Sequence, residues 1–587
     1  MCGIIGVYGD NAISNVFSGL KSLEYRGYDS WGIAFPAANS IAVEKDVGQI
    51  GKVNEILNPD SDMAIGHTRW ATHGNVSKIN AHPHLSNNRK IAVVHNGIVE
   101  NHDNLKQKLE DEGFAFESST DTEIIPNLIE FYMRKDLGFQ EAFRRTLLDI
   151  KGSYAIVAFL DGFKGIYGAR NGSPLVLGVG DKSFFLASDV PAFLERTNQV
   201  VYLDDGEMVV GDGGYKIFDT QKNFSEGQVQ KRVDKINWSV EASRKGSFEH
   251  FMLKEIFEQK ETILKAVIQG DEKISKATEM IKSAKGVFFV GCGTSYHACV
   301  SSSYAFSHLA RMHVNVCLAS EFSNYKSFIN ENTLVVAVSQ SGETADLIEA
   351  VKAAQKKKAK VISVVNVMGS TLMRLSDESI LMNSGPEICV LSTKSYTAQL
   401  AILLLLAYSV SGKLGEGKVA VERAAKEIPL IIDANVDSMK GLAKRLKDSK
   451  DFFILGRDLA FPSALEAALK IKEVSYIHAE GFAGGELKHG TIALIEEGVP
   501  VVVFVTDSTR DLILGNAQEV KSRGAFLIGV DSRENKLFDY LVKVPSLGFA
   551  DPISMIIPMQ ILAYYLALEK GLDPDKPRNL AKSVTVK

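Results

Sequence analysis

The chain is expected to be an α/β protein of two textures: a layered α/β domain with antiparallel sheets, followed by parallel α/β units. Two observations predict this. Up to about residue 218, short alternating stretches such as "IAVVHNGIVE" and "SYAIVAFLDG" are broken by Gly, Asn and Asp turn signals, as half-buried strands are. Beyond about residue 249, "NTLVVAVSQSGETADLIEAVKAAQKKKAKVISVVN" runs apolar strand, small-residue loop, amphipathic helix and apolar strand, the pattern of a βαβ unit.

Between these textures, 219–248 is polar, mixed in charge and weakly periodic, and reads as a linker. "GVFFVGCGTSYHACVSSSYAF" and "DFFILGRDLAFPSALEAALKIKE" both place an apolar strand before a Gly-containing turn and a helix of small residues. This internal repeat predicts two related subdomains with a border near 420–430. The expected division is 1–218, a linker 219–248, subdomains 249–425 and 426–575, and a tail 576–587.

With 587 residues, 45% hydrophobic and 23% charged, the chain has globular composition over several domains. A net charge of -5 gives no bias toward nucleic acid or an anionic membrane, and neither partner is expected. Five cysteines, none in a CxxC pair, argue for a reducing compartment without a disulfide frame. The longest apolar stretch noted, "AILLLLAYSV", is too short to span a bilayer and predicts one very buried helix in a cytoplasmic protein.

The chemistry starts at "MCGIIGVYGD". Removal of Met1 would give Cys2 a thiol nucleophile and an α-amine base in one residue, although "MCG" alone fits a buried strand cysteine better. "LEYRGYDSWGIA", "GHTRWATHGN", "VVHNGIVEN" and "STDTE" add polar groups at strand ends. Arg69 has the planar fork suited to a carboxylate, and Asp121 suits an ammonium group. Asn96 and Gly97 offer a side-chain amide and a backbone N–H to an oxyanion. Taken singly, a structural Arg–Asp pair and an ordinary Asn-Gly turn explain these residues equally well.

Together these motifs resemble the glutamine amidotransferase domain of the N-terminal-nucleophile class. "LEYRGYDS", "HTRWATHG" and "HNGIVEN" are similar to those of the glucosamine-6-phosphate synthase family, the isomerising glutamine:fructose-6-phosphate aminotransferases. The resemblance implies a four-layer αββα domain in which Cys2 attacks the amide of glutamine and Asn96 and Gly97 form the oxyanion hole. Arg69, Thr72, His73, Gly97 and Asp121 would bind the substrate, Arg26 would support the nucleophile's surroundings, and Trp70 would gate an ammonia channel. The histidines of "AHPH" are read as structural, so no metal is expected.

In the second half, Ser339, Gln340, Ser341 and Thr344 of "SQSGETAD" supply hydroxyls, an amide and helix-start N–H groups that complement a phosphate. Thr294 and Ser295 of "GCGTSY" offer similar groups, and a plain helix cap remains the alternative for each. These stretches, with "STKSYTAQL", "EAALKIKEVSYIHAEGFAGGELKHG" and "PRNLAKSVTV", resemble the tandem sugar-isomerase (SIS) domains of the same family, which implies two doubly wound parallel sheets. By that resemblance phosphosugar binding extends to Val390 and Ser392. His489 would assist ring opening from the neighbouring subunit of a homodimer, Glu473 would shuttle the carbon-bound proton, and Lys582 would form a Schiff base. Lys470, three residues before Glu473 on one helix face, would lie near the sugar's reacting end. The implied substrates are glutamine and fructose 6-phosphate, with no cofactor. Thr491 stands near His489 where the family commonly has proline. A deaminating relative and a phosphosugar-sensing regulator are the other readings, the latter disfavoured by the retained Cys2, Glu473, His489 and Lys582.

Overall fold

The computed structural model describes residues 2–38, 40–53, 61–71, 74–236, 238, 241–268 and 271–585. They form two compact units, Met1–Arg244 with Ala581–Lys587, and Lys245–Leu580.

The first unit is built on an eight-stranded and a seven-stranded antiparallel sheet. Alternation along the strand Ile91–Val99 explains the layers. Ala92 and Val94 pack with Ile4 and Ile65 of the other sheet. Ile91 and Val93 point the opposite way, onto Ile125 and Leu128 of the helix Ile124–Met133 and Phe143 of the helix Phe139–Asp149. On the outer face of the eight-stranded sheet, Gly66 lets Val16 and Leu20 of the helix Ala12–Ser22 approach so closely that a Cβ would lie 2.6 Å from Val16. The order is therefore helix, sheet, sheet, helix, the expected αββα layering.

Part of the stretch read as a linker is sheet. Gln228–Val229 pairs with the strand Tyr215–Asp219, and Asp234–Lys235 with Gln199–Tyr202. Two-residue edge strands are too short to show alternation, which is why the sequence conceals them.

The second unit contains two five-stranded parallel sheets. Each has its second strand beside the first, and the third, fourth and fifth following on the other side. This doubly wound order reverses direction between the first and third strands, Gly286–Gly291 and Thr333–Ser339 in one sheet, Asp451–Gly456 and Pro500–Phe504 in the other. Ligand sites of such sheets form at the carboxyl ends of those strands.

"AILLLLAYSV" lies in the buried helix Lys394–Val410. It is not alone in its burial. Gly548–Glu569 is long and apolar enough to cross a membrane, yet 89% of its apolar window is buried within the protein, as a core helix would be. The border expected near residue 425 falls inside one continuous helix, Leu414–Leu446.

Candidate active site

Cys2 precedes the strand Gly3–Tyr8, whose antiparallel pairing of Gly3 with Thr68 brings the thiol to the end of Met63–Arg69. The Trp70 backbone N–H donates to Cys2 Sγ at 3.1 Å. Crowding makes glycine necessary here: a Cβ on Gly3 would lie 2.5 Å from Thr68 Oγ1, and one on Gly27 2.7 Å from the Trp70 nitrogen. Burial pushes the Cys2 thiol above its ordinary value, so the resting group is protonated and requires a base.

The second sheet supplies the facing groups. Asn96 Nδ2 donates to the Cys2 carbonyl at 2.8 Å. Gly97 has a φ of 134°, and a Cβ there would lie 1.9 Å from the Ser153 carbonyl oxygen, so no other residue fits that backbone. Asp121 is buried and accepts from the Val99 N–H through Oδ2 at 2.8 Å. Arg69 is buried as well, and donates to the carbonyls of Asn75 at 3.2 Å and Gly74 at 3.3 Å. Burial lowers the Arg69 guanidinium's pKa, and Cys2, Asp29 and Asp121 work against that shift. Arg26 is anchored to Asp189, which also accepts from the Tyr25 hydroxyl, making it part of the framework under the site. Half-buried Trp70 meets Tyr28 edge-on at 5.5 Å between ring centroids. Thr72 and His73 lie outside the described residues.

Four buried histidines surround Asn96. His67 Nε2 is 3.1 Å from both Asn96 Oδ1 and the His95 carbonyl oxygen. His67 stacks on His82 at 4.1 Å, and His82 meets His84 at 4.8 Å. Burial holds all four imidazoles below their ordinary pKa, with His67 at about 3, so the cluster is neutral at pH 7. The rings of "AHPH" thus stack and bond to Thr120 and His95 instead of converging on a point.

In the second unit, Thr294 and Ser295 lie in the first turn of the helix Gly293–Ala305, and Thr344 stands just before Ala345–Lys356. These helices follow the two strands that flank the reversal point of the first sheet, as an anion site requires. Ser339 Oγ accepts from the Gly342 N–H at 3.0 Å, and Ser341 Oγ from the Glu343 N–H at 3.2 Å, which folds the serine loop back on itself. Gln340 closes the loop through its carbonyl, which accepts from the Asn366 N–H at 3.1 Å. The Val390 N–H donates to the Asp575 carbonyl at 3.2 Å.

Lys470 is fully buried on the helix Ala460–Ser475, where a surface ion pair would be the ordinary expectation. Its Nζ lies 2.8 Å from Glu473, 3.2 Å from Glu466, 3.1 Å from Thr294 Oγ1 and 3.3 Å from the Ser392 carbonyl oxygen. Burial opposes its charge, but the Glu466 and Glu473 carboxylates outweigh it and hold Lys470 above the usual lysine value. Glu466 is held low in turn: burial would raise it, and Lys470, the His297 ring at 2.7 Å and the Thr294 hydroxyl at 3.0 Å outweigh that. Lys470 is therefore a fixed ammonium and not a free amine.

Glu466, His297 and Gln399, which donates to Ser295 Oγ at 3.1 Å, were not singled out in the sequence. Glu466 was accessible in principle, one turn before Lys470 in "EAALKIKE". His489 is exposed at the end of the short turn Gly484–His489, and Lys582 groups with the first unit.

The fold and site define a class: an N-terminal-nucleophile glutamine amidotransferase joined to tandem SIS domains. The glutamine amidotransferase domain family matches residues 67–195, and the SIS domain family matches 280–409 and 445–539. Glutamine–fructose-6-phosphate aminotransferases (isomerizing) from Pyrococcus horikoshii and Clostridium perfringens are 44% and 42% identical to the chain, each over 100% of both chains. The solved C-terminal domain of the glucosamine-fructose-6-phosphate aminotransferase of Francisella tularensis covers 57% of this chain and 99% of its own, at 34% identity and a TM-score of 0.51. The chain belongs to the isomerizing glutamine–fructose-6-phosphate aminotransferase family.

Proposed function

We infer that the protein converts glutamine and fructose 6-phosphate to glutamate and glucosamine 6-phosphate. The observation that carries this reading is the end-to-end match to relatives of that activity in a chain whose two units each hold a polar site.

At the first site, the α-amine of processed Cys2 takes the thiol proton and the thiolate attacks the glutamine side-chain carbonyl. Arg69 holds the α-carboxylate and Asp121 the α-ammonium group, assisted by Thr72 and His73. Asn96 Nδ2 and the Gly97 N–H stabilise the oxyanion, worth about 3–4 kcal/mol per donor in comparable sites. Ammonia leaves, and water hydrolyses the thioester to glutamate.

At the second site, Ser295, Ser339, Gln340, Ser341 and Thr344 hold the phosphate, with Thr294, Val390 and Ser392 lining the sugar. His489, supplied by the other subunit of a homodimer, opens the ring, and Lys582 forms a Schiff base with the ketone. Ammonia displaces Lys582 from C2, and Glu473 moves a proton between C1 and C2, with Lys470 steadying its carboxylate. The water released in imine formation balances the one spent on the thioester. Trp70 and the tail 576–587 guard the ammonia between the sites, and both reactions take place in the cytoplasm. The functional division follows 1–218, 249–425 and 426–575.

Incubating the purified protein with both substrates and quantifying glutamate and glucosamine 6-phosphate tests the coupling: equal yields are expected, and glutamate without amino sugar overturns it. Cys2→Ala should abolish glutamine-dependent synthesis while leaving fructose 6-phosphate binding intact. Unchanged synthesis by Lys582→Ala would remove its Schiff-base role.

A further inference from the structure

We infer that His67 is a positioning residue for glutamine hydrolysis, whose Nε2–H fixes the Asn96 side-chain amide with its NH2 group toward Cys2. This rests on the reading of Cys2 as nucleophile and Asn96 as oxyanion donor.

The atoms facing His67 Nε2 are both acceptors, the His95 carbonyl oxygen and Asn96 Oδ1, each at 3.1 Å. A lone pair there would face two oxygens, so Nε2 carries the proton. Nδ1 is then bare, and it is buried without a hydrogen-bond partner among the described residues. The opposite tautomer would strand a buried N–H in that position and lose both bonds. His67 is wholly buried and stacked on His82, which fixes its ring plane.

An asparagine amide has two faces of similar shape and opposite polarity. With Oδ1 bound by His67, Nδ2 is left to point at Cys2, where it donates to the Cys2 carbonyl at 2.8 Å. If the amide turned over, an oxygen would face the developing oxyanion and repel it. His67 is bonded to Asn96 and not to the thiol among the described contacts, and acts through Asn96.

The test compares wild type, His67→Gln, which retains an N–H donor, and His67→Met, which has none, in the intact enzyme. His67→Met should lower kcat for glutamate release about 30- to 100-fold with KM within about threefold, the pattern of a lost transition-state donor. Glutamate γ-semialdehyde, whose adduct with the thiol places an oxygen in the oxyanion position, should weaken in step with kcat. Alkylation of Cys2 by iodoacetamide develops no oxyanion and should stay within about threefold of wild type. His67→Gln should recover about tenfold or more of the loss.

A kcat for His67→Met within about threefold of wild type, alkylation falling in step with kcat, or no recovery in His67→Gln overturns the inference. Should His67→Met fail to fold, 15N-histidine spectra of the wild type decide: protonated Nε2 and bare Nδ1 from about pH 5.5 to 8 support it, and the other tautomer overturns it. Glutamine-dependent turnover surviving in Cys2→Ala would reject the underlying reading instead. An inactive Cys2→Ala beside a fully active His67→Met rejects the role of His67 alone.

Discussion

The two sites bury ionisable side chains in opposite states. In the histidine cluster that reaches Asn96 through His67, four rings are kept neutral by burial and held by stacking and by bonds to a carbonyl and threonine hydroxyls. Around Lys470, the ammonium and the Glu466 carboxylate are kept charged by one another, and Glu473 pairs with the same ammonium. The difference follows the chemistry each site performs. In the proposed reaction an oxyanion would form only for a moment beside Cys2, and oriented neutral dipoles would serve it without holding glutamate product too tightly. At the sugar site Glu473 would move a proton on and off carbon, a task for a carboxylate base, and the Lys470 ammonium is paired with it at 2.8 Å.

The largest break in this contrast is Lys470→Met, which would leave buried Glu466 and half-buried Glu473 without their cation. We expect loss of about 3–5 kcal/mol from the second unit, read by denaturant unfolding, and loss of amino-sugar synthesis. Next comes Gly97→Ala, where the added carbon meets the Ser153 carbonyl at 1.9 Å. Glutamate release should fall by about 100-fold or more while fructose 6-phosphate binding, followed calorimetrically, persists.

A third test uses acid. The unfolded histidines take up protons near pH 6.5, while folded His67 resists until about pH 3. Between those values the unfolded chain binds more protons, so stability present above pH 6.5 drains away as pH falls. Each such histidine contributes about 1.4 kcal/mol per pH unit, and Arg69 and Lys45 reinforce the effect on the ring cluster while Asp121 opposes it at His95. Melting of the first unit followed from pH 7 to pH 4.5 should therefore be the steeper of the two. His84→Gln is the smallest change: it keeps a partner for Thr120 Oγ1, leaves stability at pH 7 within about 1 kcal/mol, and makes the acid slope shallower by one proton. An unchanged slope would mean that His84 is not held neutral.

The first site was legible because its parts are short motifs at strand ends, and antiparallel pairing brings such ends together: Gly3 beside Thr68 places Cys2 at Trp70. The nested strands of both sheets could be read from alternation, and the parallel units from strand, loop and helix. What escaped depends on distance along the chain. Gln399 and Ser295 are 104 residues apart, and nothing local in either helix announces the bond. The depth of Lys470 was hidden for the same reason, since a Lys–Glu spacing on a helix looks alike whether the face meets water or a second sheet. Asp551–Glu569 passed unread because its Asp, Pro and Gln residues interrupt the apolar run that a buried core helix otherwise shows.

The helix Leu414–Leu446 has a mechanical meaning. At 1.5 Å per residue its 33 residues make a rod about 50 Å long. One buried seam runs along it from Val421 through Ile428, Ile432 and Met439 to Leu446, so it is glued down over most of its length. A rod so fastened ties together the helices Gln259–Val267, Lys394–Val410 and Asp551–Glu569, against which it packs, instead of folding up at the middle. Pro429, which removes one backbone bond, is its softest point. Movement of those helices relative to one another would have to bend the rod there.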